Sequence, residues 1–214
     1  ERFAEMLDAI RATAAGVPVT VCVGVDLDDP CAAEYAQLVP ASDVHMVCAE
    51  RRRLGAWCNE LAMQALFHGH DILAFFGDDH RPRTRGWDAR VVDAMRAMGP
   101  GLVYCDDGLQ GERLPTAPFW HADVIRALGW FYPPVLTHLF ADDYWLHLAS
   151  DLGRRTYLPD VLIEHMHPSA GKADEDESYR ESAACFEHDR AAFKAFVRDE
   201  HPAVLARVRG AIGA

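Results

Sequence analysis

The chain has no CxxC pair, no internal repeat, no excess of positive charge and no apolar run approaching the roughly 20 residues that span a bilayer. Each absence closes off a class of function. The six cysteines, at positions 22, 31, 48, 58, 105 and 185, are scattered and several lie inside apolar runs. They read as reduced thiols of a soluble, cytoplasmic protein, since a zinc knuckle or disulfide framework is spaced more tightly. The formal net charge of −12 repels phosphate polymers and argues against a dedicated nucleic-acid-binding module. Any such contact would need a local basic patch such as Arg51, Arg52 and Arg53. No signal peptide opens the sequence.

What is present is ordinary globular composition, with 214 residues, 50% hydrophobic and 25% charged, enough for one domain with a real core. Helical spacing over 3–14 is followed by a valine-rich strand at 17–25, a short helix at 31–38, a strand at 43–49, a helix at 54–67 and an apolar strand at 72–76. A helix at 86–98 and a strand at 101–105 continue the alternation. Alternating strands and helices with short links predict an α/β fold, a mostly parallel sheet covered on both faces. From residue 110 the pattern loosens: 109–124 is loop-like until a helix at 121–128, and a helix at 141–152 precedes extended segments at 154–159 and 161–168. The acidic stretch 169–181 reads as a mobile loop, followed by helices at 182–198 and 202–212. Residues 1–168 form the expected catalytic domain and 169–214 a loop with C-terminal helices.

In a parallel sheet, polar residues at carboxyl strand ends share one rim, which is where ligands bind. Asp26, Asp28, Asp78, Asp79, Asp106 and Asp107 all occupy such ends. An aspartate there can simply cap its own turn. The run "ILAFFGDDH", however, adds His80 to two carboxylates after a wholly apolar strand. Hard oxygens with one imidazole suit Mn²⁺ or Mg²⁺, and such an ion holds a diphosphate. The pair Asp142-Asp143 opens a helix, where negative charge is favourable in itself and where a carboxylate can also serve as a base. His165 and His167 alternate in "IEHMHP" and point the same way on an extended strand.

The stretches "VTVCVGVDLDDP", "RRRLGAWCNELAMQA" and "ILAFFGDDH", in that order, resemble the GT-A glycosyltransferases, especially family-2-like enzymes that take sugar from a nucleotide diphosphate. The resemblance covers roughly residues 17–168, and the compact length and Ala/Arg-rich composition resemble phage or actinobacterial members, some of which modify DNA bases or virion proteins. It implies that Asp26 or Asp28 meets the nucleobase or ribose, that Gly55 and Asn59 line the nucleotide pocket, and that Arg53 reaches a phosphate. The family's D-x-D element maps onto Asp78-Asp79-His80, with Asp78 meeting ribose and metal, His80 or Asp79 taking the metal, and His167, ahead of His165, completing its shell. Asp143, with Asp142 beside it, maps onto the base of an inverting transfer, and Asp107 and Asp106 onto the donor-sugar or acceptor side, where Trp120 and His121 offer an aromatic surface. The implied donor is a nucleotide-diphosphate sugar, UDP-glucose by default, and the acceptor a DNA base, protein or small molecule. The family also opens with an apolar strand and a Pro-Ser/Thr-Arg turn that this sequence does not show, so the nucleotide pocket is incomplete as read.

Two other classes fit the acidic rim. A phosphohydrolase of the haloacid dehalogenase pattern needs D-x-D-x-T, which "DDHRPRT" does not supply. A binding module would keep the fold without the base.

Overall fold

The computed structural model describes residues 2–38, 43–172 and 177–214. Its strands form two sheets. In the first, β1 (Val21–Asp26) pairs in parallel with β2 (Val44–Ala49), with α2 (Ala32–Leu38) in the crossover between them. In the second, the order is β3 (Ile72–Ala74), β6 (Pro118–His121), β5 (Leu102–Asp106), β7 (Arg155–His165) and β4 (His80–Pro82). Here only β5–β7 is parallel, while β3–β6, β5–β6 and β4–β7 run antiparallel. The expected mostly parallel sheet is therefore corrected to a mixed one. The correction comes from two short strands that carry no clear alternation: β6, which turns back against β5 with no α-helix between them, and β4, which runs against β7 at the sheet edge. β6 falls in the stretch expected to be a loop, and β4 lies within the acidic cluster itself.

The remaining strands and helices lie close to their sequence positions. α3 (Leu54–Phe67) and α6 (Ala141–Leu152) match the expected bounds, and α1 (Arg2–Thr13), α4 (Trp87–Met98), α5 (Ala122–Leu128) and α8 (His201–Ile212) lie within a residue or two of theirs. The two extended segments after α6 are one strand, β7, with a bulge opposite Cys105 and Asp106. α7 (Glu177–Asp199) begins earlier than expected, inside the acidic stretch, of which residues 173–176 lie outside the described residues.

The alternation of β5 explains the layering. Leu102 and Tyr104 face a core with Trp120, Ile125, Tyr144 and Leu148, whereas Val103 and Cys105 face a second core with Phe3, Leu7, Val91 and Ile163. Both faces of the central strand are thus buried, one beneath α5, α6 and α8 and the other beneath α1 and α4. Each fully buried aliphatic side chain contributes about 1.5–3 kcal/mol by leaving water. α1 presents Phe3, Met6, Leu7 and Ile10 as one stripe, and the link after it is fixed because Asp88 of α4 accepts from the amides of Ala15 and Val17 at 2.8–3.0 Å.

β1 and β3 share no ladder, and among the described residues no strand joins them. A cavity of about 440 Å³ lies between their facing edges, lined largely by apolar side chains such as Val21, Val23, Trp57, Ile72 and Phe119.

Candidate active site

The apolar strand β3 drives into the core and releases the chain at Gly77, whose amide donates to Nδ1 of His80 at 3.0 Å. The turn is gripped from below by Arg81, only 4% exposed. Its Nη1 donates to the carbonyls of Asp78 (2.5 Å) and His80 (2.9 Å), and its Nη2 to Glu5 of α1 (2.9 Å). Register then does the rest. β4 aligns His80 opposite His165 of β7, and the two imidazoles stack with centroids 4.4 Å apart and planes 16° from parallel. His165 Nε2 donates to Asp79 Oδ2 at 3.1 Å, and the amide of Met166 donates to the carbonyl of Asp79 at 2.9 Å.

Burial alone would raise the carboxyl of Asp79, but the hydrogen bonds from His165 and His80 outweigh it and hold the group well below the ordinary range. His80 is pushed down, chiefly by burial, and so sits as a neutral imidazole. Its Nε2 and the Nδ1 of His165 are buried without a hydrogen-bond partner. The nitrogens that face the ionised carboxylate are the other two, His80 Nδ1 at 3.3 Å and His165 Nε2 at 3.1 Å. One ligand atom from each of Asp79, His80 and His165 lies within 4.8 Å of the others, so this donor set can hold a divalent ion.

The expected preference for His167 over His165 is reversed. β7 ends at His165, and His167 instead heads a short turn, its Nδ1 accepting from the amide of Ser169 at 3.1 Å. Its ring stays 5.0 Å from that of His165, and burial pushes its pKa down. Asp78 is exposed, outside the three-residue group, and lines the cavity between β1 and β3.

The second acidic centre is built differently. Phe140 has φ of 67°, the one non-glycine in the left-handed region among the described residues, and its turn launches α6 so that Asp142 and Asp143 fall in the first helical turn. α7 supports that turn. Phe140 packs between Phe186 and Phe193, at centroid distances of 5.4 and 5.7 Å. Asp189, 0% exposed, accepts from the amides of Thr137, His138 and Leu139 at 2.7–3.0 Å, and burial fails to raise it because those donors hold it at about 2. Nothing in the sequence marked Asp189 as part of a site, although its spacing with Phe186 and Phe193 is that of one helix face.

Asp142 accepts the amide of Asp143 at 3.0 Å. Burial, together with the adjacent Asp143 charge, pushes its carboxyl up to about 7, and burial raises Asp143 as well. The pair thus behaves as one unit that holds a proton near neutrality. Phe75, just past β3, lies 6.0 Å from Trp145 of α6, which ties the helix carrying this pair to the strand that leads into Asp79.

At the carboxyl end of β1, Asp26 accepts from the amide of Arg52 at 3.0 Å and from Trp57 Nε1 at 2.8 Å, while Asp28 pairs with Arg51 at 3.0 Å. The Trp57 ring rests directly on the backbone of Gly24, where an added Cβ would stand 2.4 Å from it. Gly55 and Asn59, expected to line the nucleotide pocket, line the same cleft as Arg53 and also hold the segment before Pro133. Asn59 accepts from the amides of Phe131 and Tyr132 (2.8 and 2.7 Å) and donates to the Tyr132 carbonyl (2.9 Å), and a Cβ on Gly55 would meet the Tyr132 ring at 2.7 Å. Both residues dock the segment before Pro133 onto α3. Arg53 is exposed at the rim of this cleft of about 450 Å³, which also reaches Pro133, Val135 and Thr137.

No protein-family model and no curated sequence matches the chain. Among solved structures, the mannosyltransferase PcManGT from Pyrobaculum calidifontis, in complex with GDP-Man and Mn²⁺, is 16% identical with a TM-score of 0.59, covering 98% of this chain and 70% of that one. S. aureus TarS (residues 1–349) is 12% identical with a TM-score of 0.60, covering 94% and 70%. The fold is of the GT-A glycosyltransferase type. At these identities the likeness speaks for architecture alone.

Within this GT-A-type fold the last expected site residues all make contacts with the protein itself. Asp107 is buried, its Oδ1 accepting from the amides of Leu109, Gln110 and Gly111 (2.6–2.9 Å) and its Oδ2 from the Thr116 hydroxyl at 3.0 Å. Burial would raise it, but those donors keep it below the ordinary range. Asp107, expected on the donor-sugar or acceptor side, thus clamps this turn and stands 4.0 Å from Nδ1 of His165. Asp106 Oδ1 accepts from the Gly108 amide at 3.1 Å. Trp120 is fully buried in the core, and His121 caps α5, its Nδ1 accepting from the Asp123 amide at 3.2 Å.

Proposed function

We propose that the protein is a glycosyltransferase that moves a sugar from a nucleoside diphosphate donor to an acceptor hydroxyl with inversion, aided by a divalent ion. The observation that carries this reading is the group Asp79, His80 and His165, a carboxylate flanked by two imidazoles where β4 pairs with β7, in a GT-A-type fold. An ion bound there supplies positive charge to the diphosphate as it leaves. Two imidazoles beside one carboxylate favour Mn²⁺ over Mg²⁺, which prefers an all-oxygen shell.

The chain's own residues supply the remainder. Asp26 and Asp28, at the end of β1, meet the nucleoside, with Arg53 for a phosphate and Asp78 at the ribose. Asp143, with Asp142 beside it, takes the proton from the acceptor hydroxyl. The acceptor oxygen forms its bond to the anomeric carbon as the bond to the diphosphate oxygen breaks, and the pair's elevated affinity for protons suits it to work near neutral pH. The PcManGT complex contains GDP-Man, so GDP-mannose stands beside UDP-glucose as a donor to test. The scattered free cysteines suit a reducing compartment, and no helix among the described residues is long and apolar enough to cross a membrane.

The test is a panel of nucleotide sugars with and without Mn²⁺, read as thermal stabilisation and as release of the nucleoside diphosphate. Metal-dependent stabilisation by one donor class, with turnover that disappears in Asp143→Asn, supports the assignment. Stabilisation without turnover identifies a binding module, and no response to any donor removes the proposal.

A further inference from the structure

We propose that His147, Asp151 and His201 form a second metal site, for Zn²⁺ or a similar borderline transition-metal ion, that staples α6 to α8. His147 and Asp151 stand one turn apart on α6 and share a face. His201 enters from the first residue of α8. Both imidazole Nε2 atoms converge on Asp151 Oδ2, His201 at 3.1 Å and His147 at 3.8 Å, and their ring centroids are 4.5 Å apart. One ligand atom from each of the three residues lies within 4.8 Å of the others.

The surroundings fit a metal better than a plain hydrogen bond. His201 is 4% exposed, and its Nδ1 lies 3.2 Å from the hydroxyl of the buried Tyr144. When Nδ1 carries the proton and donates to that oxygen, Nε2 turns its lone pair toward Asp151, the arrangement by which a neighbouring group orients a ligating histidine. Arg209, the nearby cation, donates to the Asp151 backbone carbonyl at 2.5 Å and not to its carboxylate. The site also sits in the last turns of α6, where unpaired carbonyls favour positive charge. His147 and Asp151 are 36% and 44% exposed at the side chain, leaving an entry path and room for a water as fourth ligand. Two imidazoles with one carboxylate select Zn²⁺ over Mg²⁺. The set shares no residue with Asp79, His80 and His165, so the inference stands independently of the transferase reading.

The experiment titrates the metal-stripped full chain with Co²⁺, whose visible absorption reports four-coordinate binding, and then competes with Zn²⁺. His165→Ala should retain a Co²⁺ site, and adding His147→Gln, at a partly exposed helix position that tolerates it, should raise the Kd at least about tenfold. Zn²⁺ should raise the unfolding temperature of the parent chain, and Asp151→Asn should remove the part of that rise that survives in His165→Ala. Co²⁺ affinity indifferent to His147→Gln, or no binding at all in His165→Ala, would overturn the site.

Discussion

The turn at Asp79 and the helix start at Asp142 both present paired carboxylates, yet the fold drives them to opposite states. Asp79 faces two imidazoles and stays ionised despite its burial. Asp142 faces burial and another carboxylate, and its proton is retained up to about pH 7. Neighbours therefore outweigh residue type: one centre is prepared for a cation and the other for a proton, a division that single-domain enzymes use to run both kinds of chemistry at one pH. The supports differ too. Strand register holds Asp79 through β4 and β7, whereas the Asp142 turn is clamped by Asp189 and two phenylalanines of the C-terminal helix α7.

The sharpest way to break this contrast is at the proton-handling centre. Asp143→Asn is expected to lower kcat by about 10²–10⁴, the usual worth of a positioned base, while donor binding measured by calorimetry changes less than about threefold. In the parent chain kcat should decline as pH falls below about 7, since protonation of the pair removes the base. Flat activity across pH 5–8 would detach the pair from the chemistry.

Asp189→Ala attacks the support of that centre. It strands the amides of Thr137, His138 and Leu139 beside a turn already held at positive φ, and denaturant unfolding should show a loss of about 2–4 kcal/mol. At the cation-handling centre, Asp79→Asn should weaken Mn²⁺ binding by at least about tenfold, and His167→Ala by much less, because His167 lies outside the converging set. Equal losses in the two variants would restore His167 as the distal ligand. Gly24→Ala pushes a methyl into the Trp57 ring and should cost about 1–3 kcal/mol in stability, with donor affinity reduced and kcat at saturation kept.

The smallest effect concerns pH. The Asp142 carboxyl is raised in the folded state, so the stability it contributes is full below about pH 4 and is lost as pH rises toward 7. Asp142→Asn removes that loss. Thermal unfolding of the parent chain and the variant should coincide near pH 4, and at pH 8 the variant should be the more stable by about 1–2 kcal/mol, after discounting for solvent at a half-buried site.

Much of this was legible in the order of residues. The periodic runs of α3 and α6 fixed those helices, and the apolar strand before Gly77 placed the acidic cluster at a strand end. The short strands β4 and β6 were not legible, because three or four residues carry too little alternation to register as a period. For the same reason His165 could not be separated from His167: the distinction depends on where β7 stops pairing with β4. Asn59 and Asp107 are polar residues at the expected places that also accept from backbone amides. Composition does not reveal which partner a carboxylate or amide takes.

The sequence by itself determined the layers of the fold and the chemical types available at its rim, because burial of apolar periodicities and the placement of carboxylates after strands are local properties of the chain. Only the tertiary structure decided which of those groups meet. The approach of Asp79, His80 and His165, and the clamp of Asp189 on the turn before Asp142, join residues 50 to 86 positions apart, and such contacts follow from strand register and helix packing, not from any local pattern.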